Sequence, residues 1–262
     1  VILILIQLGA IGIMTFAALV AEVLRLRLST SSRLSLEASF VHREARATLR
    51  SAVFHIILIT IVLEAIGALL IYRAVIREDT PPGGAFEAVF LSVSAFCNAG
   101  FSVYSDSVMG LIHSPLAYIA LIALITLGGL GYPVLHEIIS RTWRKLRRRP
   151  QVSVRWSLHT RIVLTSSAIL VVAGTLLLAL TGLGTSTNSI TDRLMHGLFQ
   201  SVSARTAGFN SVDIGLMPLA TILWLVPLMF IGGSPGSFAG GIKTTTATVW
   251  LTRIWARLRE SG

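Results

Sequence analysis

Gln200-Ser201-Val202-Ser203-Ala204-Arg205-Thr206-Ala207-Gly208-Phe209-Asn210 is a polar, glycine-containing stretch lodged between two long apolar segments, 158–182 and 217–232. A near copy stands earlier, at Leu91-Ser92-Val93-Ser94-Ala95-Phe96-Cys97-Asn98-Ala99-Gly100-Phe101-Ser102. Both copies carry Ser-Val-Ser-Ala and then Ala-Gly-Phe, with one residue fewer between the blocks in the second. Backbone that is neither helix nor closed barrel persists at membrane depth only where it is buried in protein or lines a water-filled cavity. Two such copies, each followed by another membrane-length apolar stretch, predict a pore lined by short re-entrant loops.

The composition points to the same solvent. Charged residues make up 13% of the 262 and hydrophobic residues 53%, against about 25% charged in soluble domains. Sections 1–23, 52–76, 115–139 and 158–182 each supply the roughly 20 apolar residues that cross a bilayer. Section 217–252 is long enough too, but glycines and Pro235 interrupt it. Four spans of this length exclude a soluble bundle of buried helices.

The formal net charge of +10 invites a nucleic-acid reading, but its placement argues against one. Arg25, Arg27, Arg33, Arg43, Arg46 and Arg50 form one cluster. Arg141, Arg144, Lys145, Arg147, Arg148, Arg149 and Arg155 form a second, and Arg253, Arg257 and Arg259 a third. Each lies just beyond an apolar span, where cytoplasmic loops collect Lys and Arg and anionic headgroups lie near. The connections 77–114 and 183–216 hold Glu78, Asp79, Asp106, Asp192 and Asp213 and few cations. The five spans then alternate in orientation without conflict, leaving 25–50, 141–157 and the C-terminus cytoplasmic in a multi-pass protein of the cell membrane. Cys97 is the single cysteine, so neither an intrachain disulfide nor a cysteine metal site is expected. Val1 opens inside an apolar span with no n-region before it, which reads as a fragment lacking an N-terminal portion.

In chain order, the span 52–76 carries Glu64, a group at membrane depth that is either functional or a structural carboxylate bonded to a neighbouring helix. After the turn Pro81-Pro82-Gly83-Gly84, residues Ala85–Ala95 form a short helix of about three turns, roughly half a bilayer. Cys97–Ser102 is the returning loop. Pro115 opens a span containing Leu127-Gly128-Gly129-Leu130-Gly131, which echoes Leu8-Gly9-Ala10-Ile11-Gly12. The order repeats with the span 158–182, a short helix 191–204, the loop Arg205–Asn210 and a span from near Pro218. A dehydrated cation needs several oxygens at once, and rings of backbone carbonyls can replace its water. Gly100 and Gly208 permit the backbone angles and the close approach that such rings require, and the short helices aim their negative ends at the ion. The loops lack Asp and Glu, which disfavours multivalent cations. Arg205 is expected to turn behind its loop and brace carbonyls.

Phe230–Thr246 reads Phe-Ile-Gly-Gly-Ser-Pro-Gly-Ser-Phe-Ala-Gly-Gly-Ile-Lys-Thr-Thr-Thr. Five glycines and a proline cannot continue a regular helix. Gly236 and Gly241 stand at the interval of a phosphate-binding loop, but Ile242 separates Gly241 from Lys243 and no strand precedes them, so nucleotide binding is rejected. A small-residue segment beneath the loops fits a gate. Lys243 is then expected in the cation route, paired with a carboxylate across it, or snorkelling to the inner headgroups.

Ser94–Ser102, Ser203–Asn210 and above all Gly232–Thr246 resemble the Trk/Ktr/HKT superfamily of potassium-translocating membrane proteins, most of all its KtrB-type (TrkH-like) membrane subunits. The likeness covers essentially the whole chain. It implies an all-α membrane protein built of M1–P–M2 units (outer helix, re-entrant pore helix and loop, inner helix), four of them joined around one pore. Residues 1–24 would be the inner helix of a truncated first unit and 25–51 a cytoplasmic linker. Residues 52–140 would be a second unit, 141–157 a basic linker and 158–262 a third unit with a broken inner helix. Carried over residue by residue, the filter comprises Asn98, Ala99, Gly100 and Phe101 with Thr206, Ala207, Gly208 and Phe209, potassium lying at Gly100 and Gly208. The gate comprises Gly232, Gly233, Ser234, Gly236, Ser237, Gly240, Gly241 and Lys243, within an intramembrane loop of about 233–243. Phe238 stands where the family has a small Ser or Thr. The resemblance also implies a homodimer in membrane lipid, a cytoplasmic nucleotide-binding regulatory subunit of the KtrA/TrkA type, and sodium as a coupling ion, with no cofactor in the chain itself.

Two other readings remain within this frame: a sodium-preferring transporter of the same superfamily, and a non-conducting assembly subunit. An intramembrane enzyme is excluded, since His55, His113, His136, His159 and His196 are scattered and form no His-Glu-x-x-His.

Overall fold

The computed structural model describes residues 1–29, 38–77, 84–111, 113–147, 156–183 and 189–260, with 17–29, 38–50, 52, 76–77 and 260 described as backbone only. Nine α-helices are found among the described residues: α1 (Ile2–Ser29), α2 (Ala38–Arg77), α3 (Ala85–Phe96), α4 (Pro115–Leu130), α5 (Tyr132–Leu146), α6 (Leu158–Thr181), α7 (Ile190–Ala204), α8 (Leu219–Phe230) and α9 (Thr244–Glu260). The stretches Val53–Val75 and Leu158–Thr181 are long and apolar enough to cross a membrane. Their outward faces are apolar, with Ile61, Val62, Ile66 and Leu69 exposed on α2 and Ile169, Val172, Leu176 and Leu180 on α6. Soluble monomers rarely expose contiguous patches of this kind, so these faces belong against lipid.

One sequence expectation is corrected, and others are refined or lie outside the described residues. The span expected over 115–139 stops at Leu130: Gly131 takes φ +80, the helical ladder ends there, and α5 departs at 109° to α4. Helix α5 buries Val134 and Leu135 while Arg144 and Lys145 stay exposed, the pattern of a helix lying along an interface rather than crossing it. The basic connection expected over 25–50 is largely helical backbone, since α1 runs to Ser29 and α2 starts at Ala38; residues 30–37 lie outside the described residues. The turn Pro81–Gly83 and most of the second basic run, 148–155, lie outside them as well.

Packing follows the sequence repeat. The first serine of each Ser-Val-Ser-Ala donates to a carbonyl of the preceding long helix, Ser92 to Glu64 at 2.7 Å and Ser201 to Val171 at 3.1 Å. Three residues beyond each acceptor stands a glycine, Gly67 or Gly174. A Cβ there would strike the same serine hydroxyl and a leucine of the following helix, Leu124 or Leu228. Without a hydrophobic force between helices in lipid, association rests on such close backbone approach and on interhelical hydrogen bonds. Short helix, long helix and following helix are thereby locked together twice. The two sets meet where the Tyr118 hydroxyl of α4 donates to the Met195 carbonyl of α7 at 2.9 Å, beside the fully buried Phe199.

Candidate functional site

Both short helices end in a loop tied by the second serine of its motif. After α3, the Ala99 amide donates to the Ser94 carbonyl at 2.8 Å, and the Ser94 hydroxyl donates to the Phe101 carbonyl at 2.7 Å. After α7, the amides of Thr206, Ala207 and Gly208 converge on the Ser203 carbonyl at 3.2, 2.8 and 3.1 Å, and the Ser203 hydroxyl donates to the Phe209 carbonyl at 2.6 Å. The extra residue of the first loop is absorbed at Asn98, which takes the left-handed φ of +52. Gly100 and Gly208 both have positive φ, +72 and +85, angles that an L side chain resists. A Cβ on Gly100 would also run into the Ala207 carbonyl.

The loops lie side by side. The Val108 amide donates to the Asn210 carbonyl at 3.4 Å, and the Asn210 amide to the Ser107 hydroxyl at 3.0 Å. Amides spend themselves on the short-helix ends. Among the described residues no hydrogen bond is donated to the carbonyls of Asn98, Ala99, Gly100, Thr206, Ala207 or Gly208. Backbone acceptors left this way normally find a partner, so two adjacent loops hold a set of uncommitted oxygens. The two phenylalanines differ: Phe209 is fully buried, whereas Phe101 is 55% exposed.

Behind the first loop, Glu64 proves to be a bonded carboxylate. Gln7 Nε2 of α1 donates to one oxygen at 3.0 Å, and the Cys97 thiol faces the other at 3.6 Å. Behind the second loop Arg205 turns away from the oxygens, as expected. Its guanidinium donates to the Ser167 carbonyl and hydroxyl at 3.5 and 3.3 Å and to the Gly232 carbonyl at 3.4 Å.

The glycine-rich segment is a pinched loop seated on the end of α4. Gly232 donates to Ile242 at 3.0 Å, Ile242 to Phe230 at 3.1 Å, and Thr244 to Gly233 at 3.0 Å, all backbone to backbone, which closes the neck. The break at Gly131 frees the last carbonyls of α4, and the loop satisfies them. The Ser234 amide donates to Gly129 at 3.0 Å, the Ser234 hydroxyl to Leu130, and the Phe238 amide to Gly128 at 3.4 Å. In return the Tyr132 amide donates to Gly236 at 3.0 Å. Two broken helices therefore complete each other. The Lys243 Nζ donates to the Ala239 carbonyl at 2.6 Å and straps the loop to itself. Phe238 is buried and meets Phe96 edge-on at 5.2 Å between ring centres.

A cavity of about 310 Å³ lies between α4, α6 and α7, reaching from Asn98 past Thr206 and Arg205 to Gly233. Both polar side-chain atoms of Asn98 are buried without a hydrogen-bond partner among the described residues. Residues that the sequence did not single out include Gln7 and Glu137. Glu137 of α5 accepts from Arg141 (3.1 and 2.9 Å), from the Ser157 amide (3.0 Å) and hydroxyl (2.7 Å), and from Thr160 (2.5 Å), fastening α5 to the capped start of α6. The Glu137–Arg141 spacing and the Ser157 cap are sequence signals, but nothing in the sequence joins them across 20 residues.

Comparison with known proteins adds the following. The family described as TrkH, cation transport protein, matches residues 2–261. The chain is 35% identical to "Ktr system potassium uptake protein B" of Vibrio alginolyticus, over 98% of this chain and 55% of that protein. It is 31% identical to "Potassium/sodium uptake protein NtpJ" of Enterococcus hirae, over 97% and 55% respectively. It thus spans about half the length of the curated relatives it matches. In structure it resembles the potassium transporter TrkH of Vibrio parahaemolyticus, with a TM-score of 0.65 and 21% identity over 97% of this chain and 48% of that one.

Proposed function

Since the chain belongs to the TrkH family of cation transport proteins, we propose that it translocates potassium ions across the cell membrane. The observation that carries this reading is the set of uncommitted carbonyls on two adjacent loops. Such oxygens can take the place of an ion's hydration shell, and the ends of α3 and α7 direct partial negative charge toward them. Potassium binds at Gly100 and Gly208, with Asn98, Ala99, Phe101, Thr206, Ala207 and Phe209 completing the two loops. The loop 233–243 is the gate, because it rests on a neighbouring helix through backbone bonds to broken ends. We assign 52–140 and 158–262 as two M1–P–M2 units and 1–24 as the inner helix of another. The whole protein works as a homodimer, with sodium as coupling ion and a nucleotide-binding cytoplasmic subunit as regulator. These assignments rest on the likeness to the Ktr relatives.

The test is growth of a potassium-uptake-deficient cell on low potassium with the gene that carries this sequence. Rescue is expected, and Gly208→Ser should weaken rescue or admit sodium, because φ +85 disfavours a side chain. A second reading, sodium preference, draws on the relative named for both ions. Sodium uptake that exceeds potassium uptake at equal concentrations would replace the first reading with the second. No ion flux at all would favour a non-conducting subunit.

A further inference from the structure

The two loops differ at one position that the repeat aligns without ambiguity. The residue directly after Ser-Val-Ser-Ala is Phe96 in the first copy and Arg205 in the second. Chemically unrelated, the two side chains reach the same segment. Phe96 packs edge-on against Phe238 at 5.2 Å, and Arg205 donates to the Gly232 carbonyl at 3.4 Å. Each of these residues is at most four positions from the carbonyls of its own loop. We propose that Phe96 and Arg205 are paired positioning residues that couple the carbonyl loops to the glycine-rich loop 232–243, so that unseating the gate is felt at the filter.

The physical basis is unequal at the two contacts. The Phe96–Phe238 contact is apolar, with both rings buried. The Arg205 contact is a charge held, among the described residues, by neutral oxygens: Ser167 of α6 supplies the fixed end and Gly232 the movable one. A charge at membrane depth is costly without acceptors. Withdrawal of the Gly232 carbonyl therefore disfavours the seated guanidinium and shifts Arg205, whose backbone leads straight into Thr206-Ala207-Gly208. The cavity of about 310 Å³ beside Arg205, Thr206 and Gly233 gives the side chain room to move without breaching close packing. The same arrangement accounts for a cation next to a cation filter and for a phenylalanine in a loop of small residues.

This inference rests on the transport reading above, so its test has one readout that needs no transport. In the full protein with Cys97→Ser, Ala239→Cys, buried while the loop is seated, reports loop exposure through its rate of reaction with a water-soluble maleimide. Arg205→Met is expected to raise that rate about tenfold, the effect of one lost charged hydrogen bond on an equilibrium. Arg205→Lys, unable to span Ser167 and Gly232 together, should fall between. Flux of rubidium in proteoliposomes should rise with Arg205→Met toward that of a variant lacking 236–241, and Arg205→Met should add nothing further in that variant. Should Arg205→Met not accumulate, Phe96→Leu tests the other contact, and its labelling change should vanish in a Phe238→Leu background. Unchanged labelling, or equal flux factors with and without 236–241, would overturn the coupling. Absent flux in the unaltered protein, with labelling as expected, would instead remove the transport reading and leave the coupling intact.

Discussion

Glu64 and Val171 occupy the same place in the repeat, each offering its backbone carbonyl to a short-helix serine. Only Glu64 adds a side chain that gathers Gln7 and Cys97. Glu64→Val makes the first set imitate the second. It should destabilise the protein by about 1–3 kcal/mol, because buried donors lose their acceptor, and Glu64→Gln by less, since an amide oxygen remains. Thermal unfolding in detergent ranks the two. Ser94→Ala and Ser203→Ala should each cost about 1 kcal/mol and should lower the potassium-to-sodium uptake ratio, because each hydroxyl fixes the phenylalanine carbonyl of its loop. The sequence marked the repeated Ser-Val-Ser-Ala block as a unit, but which carbonyl each serine reaches depends on the packing of helix and loop. The partner of Lys243 was not legible, because an acceptor four residues back depends on how the loop folds over itself.

At the scale of elements, the short helices were readable to within a residue from apolar length and position. The break in α4 was not. Leu-Gly-Gly-Leu-Gly inside an apolar run is compatible with a continuing helix, and the sign of φ at Gly131 is decided by the loop that docks on Gly128–Leu130. The tie between α5 and α6 is where acid should act. Burial alone would push the Glu137 pKa up, yet hydrogen bonds from Thr160, Ser157 and Arg141 outweigh it and hold the group at about 2, below its ordinary 4.5. A depressed carboxylate stabilises fully above its unfolded value and loses that contribution as protonation of the folded form begins. The α5–α6 tie is therefore expected to loosen as pH falls from about 4.5 toward 2. Trp156, stacked under Arg141 at 4.5 Å, reports it by fluorescence, and Glu137→Gln should abolish the transition in that window. Gly67→Val, which drives a side chain into Ser92 and Leu124, should cost about 1–3 kcal/mol or more by overpacking, read as lost thermal stability.

On the scale of the molecule, the two loops are neighbours but not equals. Phe209 is fully buried in the core shared by the two sets, whereas Phe101, its counterpart, is 55% exposed. Phe101 thus leaves an apolar ring uncovered beside the first loop. Relatives nearly twice this length contain chain enough to cover it. A third loop of the same kind, packed over Phe101, would add its own carbonyls beside those of these two loops. Phe101→Cys in the full protein with Cys97→Ser should then react with a water-soluble maleimide no faster than Phe209→Cys. Rapid labelling at 101 alone would mean that the face stays open, and that the carbonyls of these two loops do not belong to a closed ring.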